Sequence, residues 1–198
     1  MEDLVRQHKT EVLQRCAQHL RDRGFEVHVV EDAAEARAKV LELVPEGASV
    51  GWGGSATLRQ IGVIEALAEK KVEYLIPPEN QPPANLIEYR RQAMLCDVYL
   101  TGTNAISEDG IIVNIDGIGN RVASMIFGPR KVIMVAGWNK ITLDADQGLI
   151  RAREYAAAIN ARRFNADPED ICKITTIIEG RPSKTEFAIV LVKEDLGY

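Results

Sequence analysis

Short apolar runs of strand length alternate with longer runs whose apolar residues recur at helical spacing, and this alternation limits the folds open to the chain. From Asp3 to Arg23 the residues Val5, Val12, Leu13, Cys16, Ala17 and Leu20 share one helical face, and Gly24 is placed to end that helix. Phe25 to Val30 then reads as a strand. Asp32 with Glu35 three residues on is a capping-box-like start for a helix through Val44, which Pro45 closes. Ala48 to Gly51 is a short buried strand, Ala56 to Lys70 a helix and Val72 to Ile76 the next strand. Further on, Ala84 to Leu95 is helical, Asp97 to Thr101 is a strand, and Asp109-Gly110 makes a tight hairpin turn before Ile111 to Ile115. Asn120 caps a helix through Phe127, Lys131 to Ala136 is an apolar strand, and Asp144 to Arg163 is a long helix. Lys173 to Glu179 and Glu186 to Val192 are expected to finish the chain as a hairpin across Gly180-Arg181-Pro182-Ser183.

Strands that alternate with helices, each strand apolar on both faces, imply an open, mostly parallel α/β sheet with helices on both faces. Residues 1–198 are expected to form one domain, long enough to bury about two-thirds of the surface of its unfolded chain. The stretch Pro77-Pro78-Glu79-Asn80-Gln81-Pro82-Pro83 reads as a stiff surface connection, because proline removes backbone donors. A domain boundary there would leave two small halves.

With 24 basic against 29 acidic residues the net charge is −5, which argues against nucleic acid as the main partner. The local pairs Arg90-Arg91 and Arg162-Arg163 lie in helical patterns and read as solvated faces. The beginning Met-Glu-Asp-Leu-Val-Arg has neither the positive start nor the apolar core of a signal peptide. No segment approaches the ~20 apolar residues of a membrane helix, so a cytoplasmic protein with no membrane partner is expected. Cys16, Cys96 and Cys172 lie far apart with no Cys-x-x-Cys and no histidine arrangement to complete a metal site, which predicts reduced thiols and no metal; no bound cofactor is expected.

In parallel α/β sheets ligands bind beyond the carboxyl ends of strands, and three polar, glycine-rich segments fall there. The first is Gly51-Trp52-Gly53-Gly54-Ser55-Ala56-Thr57. Gly51, Gly53 and Gly54 permit backbone angles that other residues avoid, so several N–H groups could converge on a small anion, aided by the helix that starts after Ser55. The alternative is a tight strand-to-helix turn with Ser55 as cap. Ala56 in place of glycine departs from the dinucleotide fingerprint, and no Gly-Lys-Ser/Thr follows to make a P-loop.

The second segment runs from Thr101 to Gly110 and on through Asn114-Ile115-Asp116-Gly117-Ile118-Gly119-Asn120-Arg121. Asn104 could orient a carboxylate or hydroxyl, while Glu108 and Asp109 are the candidate general bases. Turn chemistry also accounts for Asp109-Gly110 and Asp116-Gly117, and helix capping for Asn120. Arg121 could form a bidentate pair with a ligand carboxylate or phosphate, or a structural salt bridge. In the third segment, Ala136-Gly137-Trp138-Asn139-Lys140, Lys140 could neutralise an anion or face solvent. His8, His19 and His28 lie outside these loops, and no arrangement suggests a catalytic triad. The candidate ligand-binding set is therefore Gly53, Gly54, Ser55, Thr57, Asn104, Asn120, Arg121 and Lys140.

These motifs, with Val-Ala-Gly-Trp-Asn-Lys-Ile at 135–141 and the ending Glu-Asp-Leu-Gly-Tyr at 194–198, resemble the LUD family, the lactate-utilization domain proteins of the LutC/YkgG kind. The resemblance implies an open α/β fold similar to sugar-phosphate isomerases and CoA transferases. It also implies a part in oxidising L-lactate to pyruvate beside iron-sulfur and flavin-type partner proteins; together with the glycine turn, this gives the expectation of a subunit or accessory that binds a small anionic metabolite. Relatives often carry extra cysteines before the segment matching 167–172. Here only Cys172 remains, so the resemblance implies no cluster or zinc bound by this chain alone. Two other readings stay open: a self-sufficient isomerase or acyl-transfer enzyme using Glu108 or Asp109, and an assembly module with a vestigial crevice. A carboxylate of Glu108 or Asp109 aimed into the glycine crevice would favour catalysis.

Overall fold

The computed structural model describes residues 2–75 and 83–198. Its centre is a six-stranded sheet made of β1 (Glu26–Val30), β2 (Ser49–Trp52), β3 (Glu73–Tyr74), β4 (Val98–Gly102), β7 (Lys131–Gly137) and β10 (Glu186–Val192). The order is β1-β10-β7-β4-β2-β3 and every pairing is parallel. Between β4 and β10 in sequence lie β5 (Ala105–Ser107), β6 (Ile112–Asp116), β8 (Ile141–Thr142) and β9 (Ile174–Ile178). They form a second, mixed sheet in the order β8-β5-β6-β9.

Successive strand side chains point to opposite faces, so an uninterrupted apolar strand feeds two cores at once. In β7, Val132, Met134 and Ala136 join one cluster while Ile133 and Val135 join the other. The same division in β10 separates Phe187, Ile189 and Leu191 from Ala188, Val190 and Val192. The first face is covered by α1 (Glu2–Asp22), which contributes Leu13, Cys16, Ala17 and Leu20. The second is covered by α2 (Ala33–Leu43), α3 (Ala56–Gln60) and α4 (Val63–Ala66), through residues such as Val40, Leu58 and Val63. Helices on both faces of a mostly parallel sheet are what the alternation predicted.

Several local expectations change. The terminal hairpin does not form, because β9 runs antiparallel to β6 in the second sheet and β10 enters the first between β1 and β7. A strand such as β10, buried at every residue after Glu186, gains more by filling the centre of the large sheet than by pairing with its sequence neighbour. The helix expected over 56–70 breaks at Gly62, whose φ of 68° is left-handed and starts the next short helix. The run from Asp144 is helical, but α7 (Ala145–Ile150) gives way to a π-helical turn, Arg151–Ala157, before α8 (Ala158–Phe164). Asn120 is the first residue of α6 (Asn120–Ile126), and its expected cap position is taken by Gly119.

Two expectations are matched closely. Asp32 caps α2 by accepting from the Glu35 N–H at 2.9 Å, and β5 pairs antiparallel with β6 around Gly110 at φ 86°. The proline-rich connection lies almost wholly outside the described residues. Only Pro83 is placed, at the start of a helix, α5 (Pro83–Ala93). No helix among the described residues is long and apolar enough to cross a membrane.

Candidate functional site

Segments following β2, β4, β6 and β7 meet at a cleft of about 360 Å³. Parallel strands end together, so loops distant in sequence are delivered to one edge. Gly54, Ser55, Thr57, Asn104, Asn120, Arg121 and Lys140 all line the cleft. Seven of the eight proposed ligand residues are thus brought together, and Gly53 is not among the lining residues.

The glycine turn works differently from the sequence expectation. Gly51, Gly53 and Gly54 do not adopt the left-handed conformation. Gly51 is glycine because a Cβ there would stand 2.8 Å from Ala93 Cβ, and a Cβ on Gly53 would stand 3.0 Å from the Tyr99 hydroxyl. The Ser55 N–H donates to Gly53 O at 2.9 Å, and Ser55 Oγ caps the following helix by accepting from Leu58 N–H at 3.2 Å. The turn therefore supplies close packing and a helix cap. The charge of the cleft comes from side chains.

Lys140 is 4% exposed, at the end of a single 3-10 turn after β7. Its Nζ donates to the Thr103 carbonyl at 2.9 Å and lies 3.2 Å from Thr57 Oγ1. Burial, with the charges of Arg151 and Arg121, pulls its pKa down to about 7. Arg121 is held by three acceptors: Asn114 Oδ1 at 2.9 Å, Asn104 Oδ1 at 3.0 Å and the Ile115 carbonyl. Its Nε lies 3.7 Å from Asp116 Oδ2, and burial lowers its pKa against the pull of that carboxylate. Behind them Arg151, from the π-helical turn, donates to Asn139 O at 2.8 Å and to Asn104 O at 2.6 Å.

Two carboxylates line the cleft: Asp170, which pairs with Lys173 at 2.8 Å, and Asp116, which lies beside Arg121. Asp116 Oδ1 accepts from the Ile118 and Gly119 N–H groups at 3.1 Å each, while Oδ2 is buried without a hydrogen-bond partner. Turn chemistry, expected at Asp116-Gly117, thus occupies one oxygen and leaves the other facing Arg121. The outer wall is different in kind. Ile118, Phe164 and Ile171 give it apolar surface, and Tyr198 reaches across with its hydroxyl 2.6 Å from Asn160 Oδ1.

Glu108 and Asp109 do not reach the cleft. Asn104 sits at the cleft end of β5, and four residues at ~3.3 Å each carry the chain to the opposite end of that strand. There Glu108 pairs with Arg15 at 3.1 Å, while Asp109 accepts from the Ser107 hydroxyl and lies 3.8 Å from Arg23. Glu108 thus ties the hairpin to α1, and Asp109 ties it to Arg23 just after that helix.

Sequence reasoning passed over Thr103, Arg151 and Tyr198, and it assigned Asp116 to its turn alone. For Asp116 a signal existed, since it ends a strand immediately before the Gly-Ile-Gly turn that leads to Arg121. Among the described residues no group of three or more His, Cys, Asp or Glu side chains is arranged to hold a metal ion.

A parallel central sheet covered by helices on both faces, with a cleft where segments following its strands meet, defines an α/β protein of the open-sheet class. The LUD domain model matches residues 13–192, and the chain belongs to the LUD domain family. The solved structures include a similar chain, a DUF162 family protein from Deinococcus radiodurans, with a TM-score of 0.59 at 15% identity over 93% of this chain and 98% of that one. That likeness is one of fold. No curated protein matches the chain.

Proposed function

We propose that the cleft binds a small anionic metabolite and that the protein serves L-lactate oxidation to pyruvate, as a subunit or accessory beside iron-sulfur partner proteins. One observation carries the anion: Lys140 and Arg121 line the cleft with the charge of Arg151 acting from behind, and Asp116 is the carboxylate beside Arg121. Buried like charges repel unless an opposite charge joins them, so a carboxylate or phosphate entering the cleft relieves a cost already present in the fold. Membership of the LUD domain family supports the metabolic setting. A reading closer to the LutC/YkgG kind rests on the sequence motifs, and a cytoplasmic location is part of the same proposal.

The test is calorimetric titration with L-lactate, pyruvate and a sugar phosphate. Arg121→Ala is expected to weaken binding of the preferred anion by ~1–3 kcal/mol, the worth of a charge-assisted contact. Equal affinity in both proteins rejects the role of Arg121, and no binding of any anion rejects the reading.

A second reading is favoured by the orphaned Asp116 Oδ2. In an isomerase- or acyl-transfer-type reaction Asp116 would be the base, replacing Glu108 and Asp109, which stand elsewhere. Turnover lost in Asp116→Asn with ligand binding retained would distinguish it from binding alone.

A further inference from the structure

The amine of Lys140 is placed unlike a lysine that only neutralises charge. A lysine used as a point charge normally sits within reach of solvent on a flexible stem, whereas this one is buried and its nitrogen is held from two sides. The Thr103 carbonyl oxygen can only accept, so it fixes one N–H, and Thr57 Oγ1 lies at hydrogen-bond distance from the same nitrogen. Lys140 is one of the residues that line the cleft, and Gly197 packs beside its nitrogen, where a Cβ would stand 3.3 Å away.

We propose that Lys140 captures a 2-oxo acid covalently, as an imine, with the acid group of the ligand held on the Arg121 side of the cleft. This rests on the anion-binding reading above and narrows it to acids with a carbonyl next to the carboxylate. A cationic floor beside a fixed amine selects that pair of groups, because the anion subsite and the nucleophile are both walls of one cavity.

The step balances without a further reactant. The Nζ lone pair forms a C–N bond to the carbonyl carbon while the C=O π pair moves onto oxygen. The two amine hydrogens then leave with that oxygen as water, and a C=N bond replaces both. Thr57 Oγ1, 3.2 Å from Nζ, is the hydroxyl in reach to pass a proton between nitrogen and departing oxygen. The depressed pKa of Lys140 keeps the nucleophilic amine populated near neutral pH.

The experiment incubates the intact protein with pyruvate and cyanoborohydride, which reduces an imine to a stable secondary amine, and locates the adduct by peptide mass mapping. The expected result is labelling of Lys140 roughly tenfold or more above any surface lysine, suppressed by excess L-lactate, which has the acid group but no carbonyl. In Lys140→Arg, whose folding is checked by its thermal melt, the adduct should vanish. Because mapping on the unaltered protein locates the site, the result does not depend on that variant folding. Labelling spread evenly over the lysines, or none at Lys140, overturns the proposal. Calorimetry with lactate and pyruvate run alongside separates the two claims, since binding without an adduct ends covalent capture and leaves anion binding standing.

Discussion

Asn104 Oδ1 accepts hydrogen bonds from Arg121 Nη2 at 3.0 Å and from the Ile115 N–H at 2.8 Å, so one buried amide ties the guanidinium to the second sheet. Asn104→Leu would leave a charged donor and a backbone donor without this acceptor. We expect a loss of about 2–4 kcal/mol in denaturant unfolding, together with weakened anion binding. A variant as stable as the original would show that Arg121 finds other acceptors.

Lys140 gives a signed pH dependence. Its folded pKa, about 7, lies below the ordinary lysine value of 10.5, through burial first and then Arg151 and Arg121. The unfolded chain therefore binds the extra proton between these limits, and this stabilising contribution is complete above about 10.5 and lost as pH falls to about 7. Relative to Lys140→Met, stability should rise with pH across that window by up to ~1.4 kcal/mol per pH unit. Parallel stability curves for the two proteins would contradict it. A simple anion should bind more weakly as pH rises through the same range, because it favours the charged lysine.

Glu108→Gln and Asp109→Asn are expected to leave ligand binding unchanged. Their ion pairs with Arg15 and Arg23 are partly exposed at the foot of α1, so each substitution should cost about 1 kcal/mol or less. Calorimetry on both variants checks this, and a collapse of affinity in either would put these carboxylates back in the site.

Gly137 has ordinary extended backbone, φ −76° and ψ 163°, yet an alanine there would place its Cβ 2.5 Å from Leu196 N and 2.6 Å from Glu194 O. Gly137→Ala is therefore expected to push residues 194–198 off the cleft edge, where Asn139 holds them through the Leu196 N–H and Gly197 O. Overpacking of this kind costs ~1–3 kcal/mol, and increased hydrogen exchange confined to residues 194–198 should accompany it. Unchanged exchange there would mean that the strand shifts instead.

Legibility varied with the range of the forces involved. The capped start of α2 and the turn at Gly110 depend on residues within four positions of one another, and both could be read directly. The loops around Ser55, Asn104, Arg121 and Lys140 could also be chosen, because strand ends in a parallel sheet share one edge. What could not be read was direction. Glu108 belongs to a promising loop but lies one strand length from the cleft, and Asp116 spends one carboxylate oxygen on its turn while the other faces Arg121.

The alternation of apolar runs determined by itself that the chain must cover both faces of a mostly parallel sheet, since each strand carries apolar residues on both sides and has to bury them. Tertiary structure alone decided that β10 joins the central sheet, that Gly51 and Gly53 are needed for close packing, and that Lys140 is held between Thr57 and Thr103. Those outcomes depend on neighbours dozens of residues away, and burial among them sets the charge state of a lysine that looks ordinary in the sequence.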